Sequence, residues 1–220
     1  NQNVSRSSTK RRNQEDSRRV GLIAPFMPNL DKLIHNSFSE TQQVFDEFSS
    51  DPANISSLKT ATTLMSNALK KGNALFSCGN GGSLCDATHF AEELTGRFRE
   101  NRRALKAMAI NDPAHMSCIT NDFGGDQVFA KYLEAWGTTG DILLAISTSG
   151  QSRNIINAVQ MAKAKQMPVI GLLGKDGGDL KSMVDIPIIV KGRKWSDRIQ
   201  EVHIKIIHVL IEGIEASIFV

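Results

Sequence analysis

The sequence predicts an α/β fold: a doubly wound, five-stranded parallel sheet flanked by helices, preceded by an N-terminal helical pair. Two observations predict it. Five short apolar runs, ALFSC (74–78), ALKAMAI (104–110), DILLAIS (141–147), PVIGLLG (168–174) and DIPIIV (185–190), alternate with helical stretches, the pattern of a parallel sheet covered by its crossovers. Ahead of them, apolar residues recur at three- and four-residue steps, the spacing of amphipathic helices. At 220 residues and 40% hydrophobic content, the chain has material for one substantial core.

The first 26 residues are polar, rich in Ser, Arg and Asn, and without apolar periodicity before VGLIAPF. Their composition predicts a disordered basic leader or upstream extension, with the folded domain at 27–220. Met27 follows directly and is the expected natural start. A transit-like leader is the alternative, supported by Arg/Ser richness but lacking an amphipathic pattern. Six Lys/Arg against Glu15 and Asp16 give this stretch a charge of +4 within an overall +3, so the remaining chain stands at −1. A basic nucleic-acid face on the folded part is therefore excluded.

Leu30, Leu33, Ile34, Phe38, Val44, Phe45 and Phe48 form the stripe of the first helix. Asp51 is the expected N-cap of the second, with Pro52 in its first turn, Ile55, Leu58, Leu64, Met65 and Leu69 as its stripe, and Lys70, Lys71 and Gly72 closing it. A long helix from about Ser196 ends the chain. Its apolar stretch 204–220 is broken by Lys205, His208, Glu212 and Glu215, so it fails as a membrane span and reads as a buried or intersubunit helix. Cys78, Cys85 and Cys118 are an odd number without CxxC spacing; they are expected as small buried residues, reduced in a cytoplasmic protein.

Two loops follow predicted strands, where open α/β sheets bind ligands. One holds Gly79, Asn80, Gly81, Gly82 and Ser83, whose glycines let backbone approach a ligand closely. The other delivers Ser147, Thr148, Ser149, Gly150 and Ser152 into a helix start, where hydroxyls and free N–H groups suit a phosphate dianion. A helix cap needs only one such hydroxyl. Neither loop is a P-loop or a GxGxxG fingerprint, which argues against a nucleotide.

Chemistry is carried by two polar rows. HFAEELTGR spaces His89, Glu93 and Arg97 four residues apart, on one predicted helical face, although an exposed polar row has the same spacing. On the last helix, Gln200 and His208 lie about 80° apart and His203 and His208 about 140° apart, so at most one histidine faces a pocket and the other belongs to the core. With Ile206 and Ile207 around it, His208 taken alone reads as a satisfied core histidine.

The motifs CGNGGS, CDATHFAEELTGRFRENR, ITNDFG, ISTSGQS, GKDGG and DRIQEVHIKIIH, spanning 27 to the C-terminus, resemble the SIS (sugar isomerase) family, a flavodoxin-like fold. Within it they resemble the bacterial phosphoheptose isomerases. That resemblance implies isomerisation of sedoheptulose 7-phosphate to D-glycero-D-manno-heptose 7-phosphate through an enediolate, the first step towards the heptose of lipopolysaccharide core. It implies one zinc per subunit, held by His89, Glu93, Gln200 and His208. Implied substrate contacts are Asn80, Gly81, Gly82, Glu93, Asn121, Asp122, Ser147, Thr148, Ser149, Ser152 and Gln200, with Glu93 and His208 as the catalytic pair. Arg97 or Asp197 orients that pair or forms a structural ion pair. Leu84 replaces the histidine familiar after GNGGS and touches no implied ligand. A homotetramer is implied, with no nucleic-acid or membrane partner. The alternative is a non-catalytic SIS protein working through protein contacts, such as a replication-initiator-associating relative. The Glu92–Glu93 pair and DRIQEVH argue against it.

Overall fold

The computed structural model describes residues 29–192 and 194–219. The leader expected at 1–26 lies outside them. Asn29 opens helix α1 (Leu30–Ser49) by accepting from the Lys32 amide, and Asp51 opens α2 (Pro52–Lys70) by accepting from the Ala53 amide. Both helices stand where the apolar spacing puts them. Only Val44 and Phe48 of α1 are buried, however, while Leu30, Leu33, Ile34 and Phe38 remain exposed.

All five expected strands form: β1 (Leu75–Cys78), β2 (Ala107–Ala109), β3 (Ile142–Ser147), β4 (Val169–Gly174) and β5 (Ile186–Val190). They are parallel throughout, in the order β2-β1-β3-β4-β5. Residues of β1, β3 and β4 are buried on both faces, which is why these strands read as unbroken apolar runs rather than alternating ones. One face packs on α1, α2, α3 (Gly82–Thr95) and the closing helix α8 (Asp197–Phe219). The other packs on α5 (Val128–Trp136), α6 (Arg153–Ala164) and α7 (Leu180–Met183), with α4 (Pro113–Phe123) at its margin.

The chain leaves β1 toward β2 on one side and returns as β3 on the other. This strand-order reversal opens a crevice beyond the carboxyl ends of β1 and β3. The two ligand-type loops follow those two strands, so the topology sets them at the switch point.

Candidate active site

At the crevice, α3 and α6 rise from opposite faces of the sheet with bare N-termini. Gly81 caps α3 at φ +54° and has no side chain to offer, while Ser152 caps α6 without bonding its own helix amides. The Ser152 hydroxyl lies 3.3 Å from that of Ser147, which also accepts from the Gly150 amide at 3.1 Å. Ser149 accepts from the Gln151 amide. Ser83, Leu84 and Ile155 donate to the Asn80, Gly81 and Ser152 carbonyls, and with no side-chain cap on either helix the leading amides are left to an anion. The loops are tied by a reciprocal amide pair, Asn80 with Asn154, at 2.9 Å in each direction. Asn154 escaped the sequence analysis because its partner lies 74 residues away. Gly150, at φ +65°, packs so closely on the GKDGG loop that an added Cβ would lie 1.9 Å from the Gly177 carbonyl oxygen.

Helices α3 and α8 run side by side in the same direction, and their contact brings the polar rows together. At its start Gln200 covers Gly82, where an added Cβ would lie 2.6 Å from Gln200 Nε2. Two turns further on, His89 Nε2 lies 2.9 Å from His208 Nε2 and 3.6 Å from Glu93 Oε1. His89 Nδ1 faces Glu92 Oε1 at 3.4 Å, and Phe98 stacks on His208 with ring centroids 5.6 Å apart. Burial, and then the nearby His89, hold the His208 pKa below its ordinary value, so its ring is neutral near pH 7. The expectation that His208 belongs to the core is reversed: His203 is the core histidine of α8, fully buried with its Nε2 donating to the Leu173 carbonyl at 3.2 Å, while His208 turns to His89.

Ligands around a tetrahedral zinc stand about 3.3 Å apart. The separations among His89, Glu93 and His208 straddle that value, and imidazole and carboxylate are borderline-to-hard donors, so this set fits a divalent metal. His89, Glu92 and Glu93 also offer donor atoms within 4.8 Å of one another. Gln200 stands at the loop end, about 12 Å along the helix axis from His208. Helical side chains lean toward the N-terminus, so His208 and Glu93 lean toward it.

Arg97 departs from expectation. Helix α3 ends at Thr95, so Arg97 lies beyond it, exposed, and does not extend the His89–Glu93 row. The physical reasons are Gly96, which caps the helix end, and a side chain from further along the chain. The buried Arg102 guanidinium donates to the carbonyls of Glu93, Leu94 and Gly96 while its Nε holds Glu215 of α8 at 2.7 Å. Asp197 pairs with Arg198, the structural alternative for it. Asn121 and Asp122 are exposed on the last turn of α4, bonded to each other at 2.8 Å. Within one chain α4 buries no residue, so nothing carries them to the other site groups. Cys78 is buried as expected, but Cys85 and Cys118 are exposed, on helix faces that the described residues leave uncovered. Cys85 lines a cleft of about 490 Å³ with Thr88, His89, Glu92 and Asn111.

Residues 38–174 match the SIS domain. The chain is 55% identical over 183 residues to the phosphoheptose isomerase of Pectobacterium atrosepticum, covering 83% of this chain and 95% of that relative. The chain belongs to the phosphoheptose isomerase family of SIS-domain proteins. The phosphoheptose isomerase structure from Neisseria gonorrhoeae superposes with a TM-score of 0.79 at 37% identity, covering 85% of this chain and 99% of that one. That from Francisella tularensis gives 0.80 at 36%, covering 86% and 100%. The α3/α8 groove that brings His89, Glu93 and His208 together is the candidate site of this family member.

Proposed function

We propose that this phosphoheptose isomerase family member converts sedoheptulose 7-phosphate to D-glycero-D-manno-heptose 7-phosphate, supplying heptose for lipopolysaccharide core. The observation that carries the reading is the convergence of His89, Glu93 and His208 beside two loops built for an anion, in a chain so similar to named phosphoheptose isomerases. The non-catalytic alternative is not favoured, since Glu92 and Glu93 both stand beside His89.

In our reading, the hydroxyls and amides of Ser147, Thr148, Ser149 and Ser152 hold the phosphate. Asn80, Gly81 and Gly82 bind the sugar along the first loop, and Asn121, Asp122 and Gln200 contact its hydroxyls. A ketose becomes an aldose when a base takes a proton from C1 and an acid returns one to C2. Glu93 and His208 share this proton traffic: the half-buried Glu93 carboxylate takes the proton from C1 and, then an acid, returns one to C2, while His208 carries the hydroxyl proton from O1 to O2. His89, Glu93, Gln200 and His208 would hold one zinc per subunit, which when bound polarises the carbonyl and stabilises the enediolate. The exposed Leu30, Leu33, Ile34 and Phe38 of α1 support a homotetramer that covers them. Among the described residues no helix is long and apolar enough to cross a membrane. We assign the protein to the cytoplasm, with residues 27–220 as its isomerase domain.

The direct test is an assay of heptose 7-phosphate formation by the purified protein, with and without chelator. Turnover that stops on chelation is expected. A protein that folds, binds sedoheptulose 7-phosphate and never turns it over would return the reading to the non-catalytic class.

A further inference from the structure

Away from the α3/α8 groove, a cleft of about 940 Å³ lies between the GKDGG loop, the segment after β5 and the first turn of α2. Four lysines line it: Lys175, Lys181, Lys191 and Lys194. The register of β4 with β5 pairs Gly174 with Val190, so Lys175 and Lys191 are the next residues on adjacent strands. The Lys175 amide continues that ladder by donating to the Val190 carbonyl at 3.0 Å. Like charges at neighbouring positions of adjacent strands repel, and an anion between them relieves that repulsion.

Among the described residues none of the four forms an ion pair; Lys194 instead lies over the Trp195 ring, 4.6 Å from its centroid. The two carboxylates of the cleft are turned to backbone: Asp51 accepts from the Ala53 amide and Asp176 from the Gly178 amide. Among the described residues, four ammonium groups against two carboxylates leave the lining at +2. The serines of the substrate-type loop do not line this cleft.

We infer that this cleft is a second anion site, distinct from the isomerase groove, that takes a small molecule bearing a diphosphate. A phosphate monoester carries about −1.5 to −2. A diphosphate carries more charge and can reach two ammonium groups rooted on strands about 4.8 Å apart. The cleft volume lies at the upper end of the range of small-molecule pockets, with room for a group beyond the diphosphate.

Inorganic pyrophosphate is the probe, titrated calorimetrically into the full chain with orthophosphate for comparison. Saturable binding, tighter than that of orthophosphate and weakened by added salt, is expected. It should weaken by at least about tenfold in Lys175→Ala/Lys191→Ala, because each lost charged hydrogen bond is worth roughly that factor. It should persist in Ser149→Ala/Ser152→Ala, and isomerase turnover of the lysine variant should match the native protein. Should the double variant melt early, Lys191→Gln alone, with a smaller loss, replaces it. No saturable binding, undiminished binding in the lysine variants, or a loss confined to the serine variant would each overturn the site; the last would put the pyrophosphate in the substrate loop.

Discussion

His89 Nε2 and His208 Nε2 stand 2.9 Å apart across two helices whose residues are 119 positions apart in the chain. One ring donates to the other across this contact, and both nitrogens would hold a divalent metal. Glu93, one turn beyond His89, completes a polar row whose proton-transfer and ligand roles can be separated by substitution.

Glu93→Gln and His208→Ala are expected to lower kcat by about 10²–10⁴-fold, the range of general acid–base contributions. Melting temperature and sedoheptulose 7-phosphate binding should stay close to native. Near-native turnover in either variant would remove that residue from the proton path.

Chelation is expected to abolish turnover, and added zinc to restore it. His89→Ala should purify with less bound zinc by elemental analysis, independently of activity. Full zinc content in that variant would place the ion elsewhere.

Ser149→Ala and Ser152→Ala are expected to raise KM by about tenfold each with a smaller change in kcat, because they remove binding shared by ground and transition states. An unchanged KM would return these hydroxyls to a purely structural role.

Arg102 ties the end of α3 to α8 through Glu215, with its side chain only 5% exposed. Removing one partner of a buried pair costs about 3–5 kcal/mol. Arg102→Ala should therefore melt well below the native protein, whereas Arg99→Ala, at the exposed pair with Glu212, should cost under about 1 kcal/mol. Equal losses would mean that burial does not separate the two pairs.

Two buried groups oppose each other in acid. Burial lowers the His203 pKa to about 4, so the unfolded chain binds the extra proton and stability falls as pH drops from about 6.5 to 4. Burial raises Asp86 to about 6, against a weaker lowering by His89; here the folded state holds the proton, and stability falls as pH rises from about 4 to 6. The native protein should show a nearly flat contribution between these limits. Asp86→Asn should expose the His203 slope, and His203→Gln the opposite one, each amounting to about 3 kcal/mol across the window. Denaturant midpoints at pH 4, 5, 6 and 7 provide the check, and parallel profiles for both variants would contradict the assignment.

Much of this architecture was legible because it is local. The Asp51–Pro52 start of α2, the five apolar runs and the small-residue loops each follow from the chemistry of neighbouring residues, and all appear in the structure. Helix periodicity likewise limited the pocket to one of His203 and His208. The isoleucines flanking His208 favoured it for the core, and the structure reverses this, since only the strand carbonyl of Leu173 and the facing helix distinguish the two sides. Spacing alone also ran Arg97 onto the His89–Glu93 face; the local stop at Gly96 ends α3 before it, and Arg102, folded back on the helix end, holds the last carbonyls.

By itself, then, the sequence determined the element order, the loops at the carboxyl ends of β1 and β3, and the residue types available for chemistry. Tertiary structure decided which of those residues meet. The packing of α3 on α8 joins His89 to His208, the amide pair of Asn80 and Asn154 locks the loops together, and the register of β4 and β5 sets Lys175 beside Lys191. The physical reason is range: caps, turns and periodicity act within a few residues, whereas the convergence of a site depends on helix packing and strand order between segments far apart in the chain.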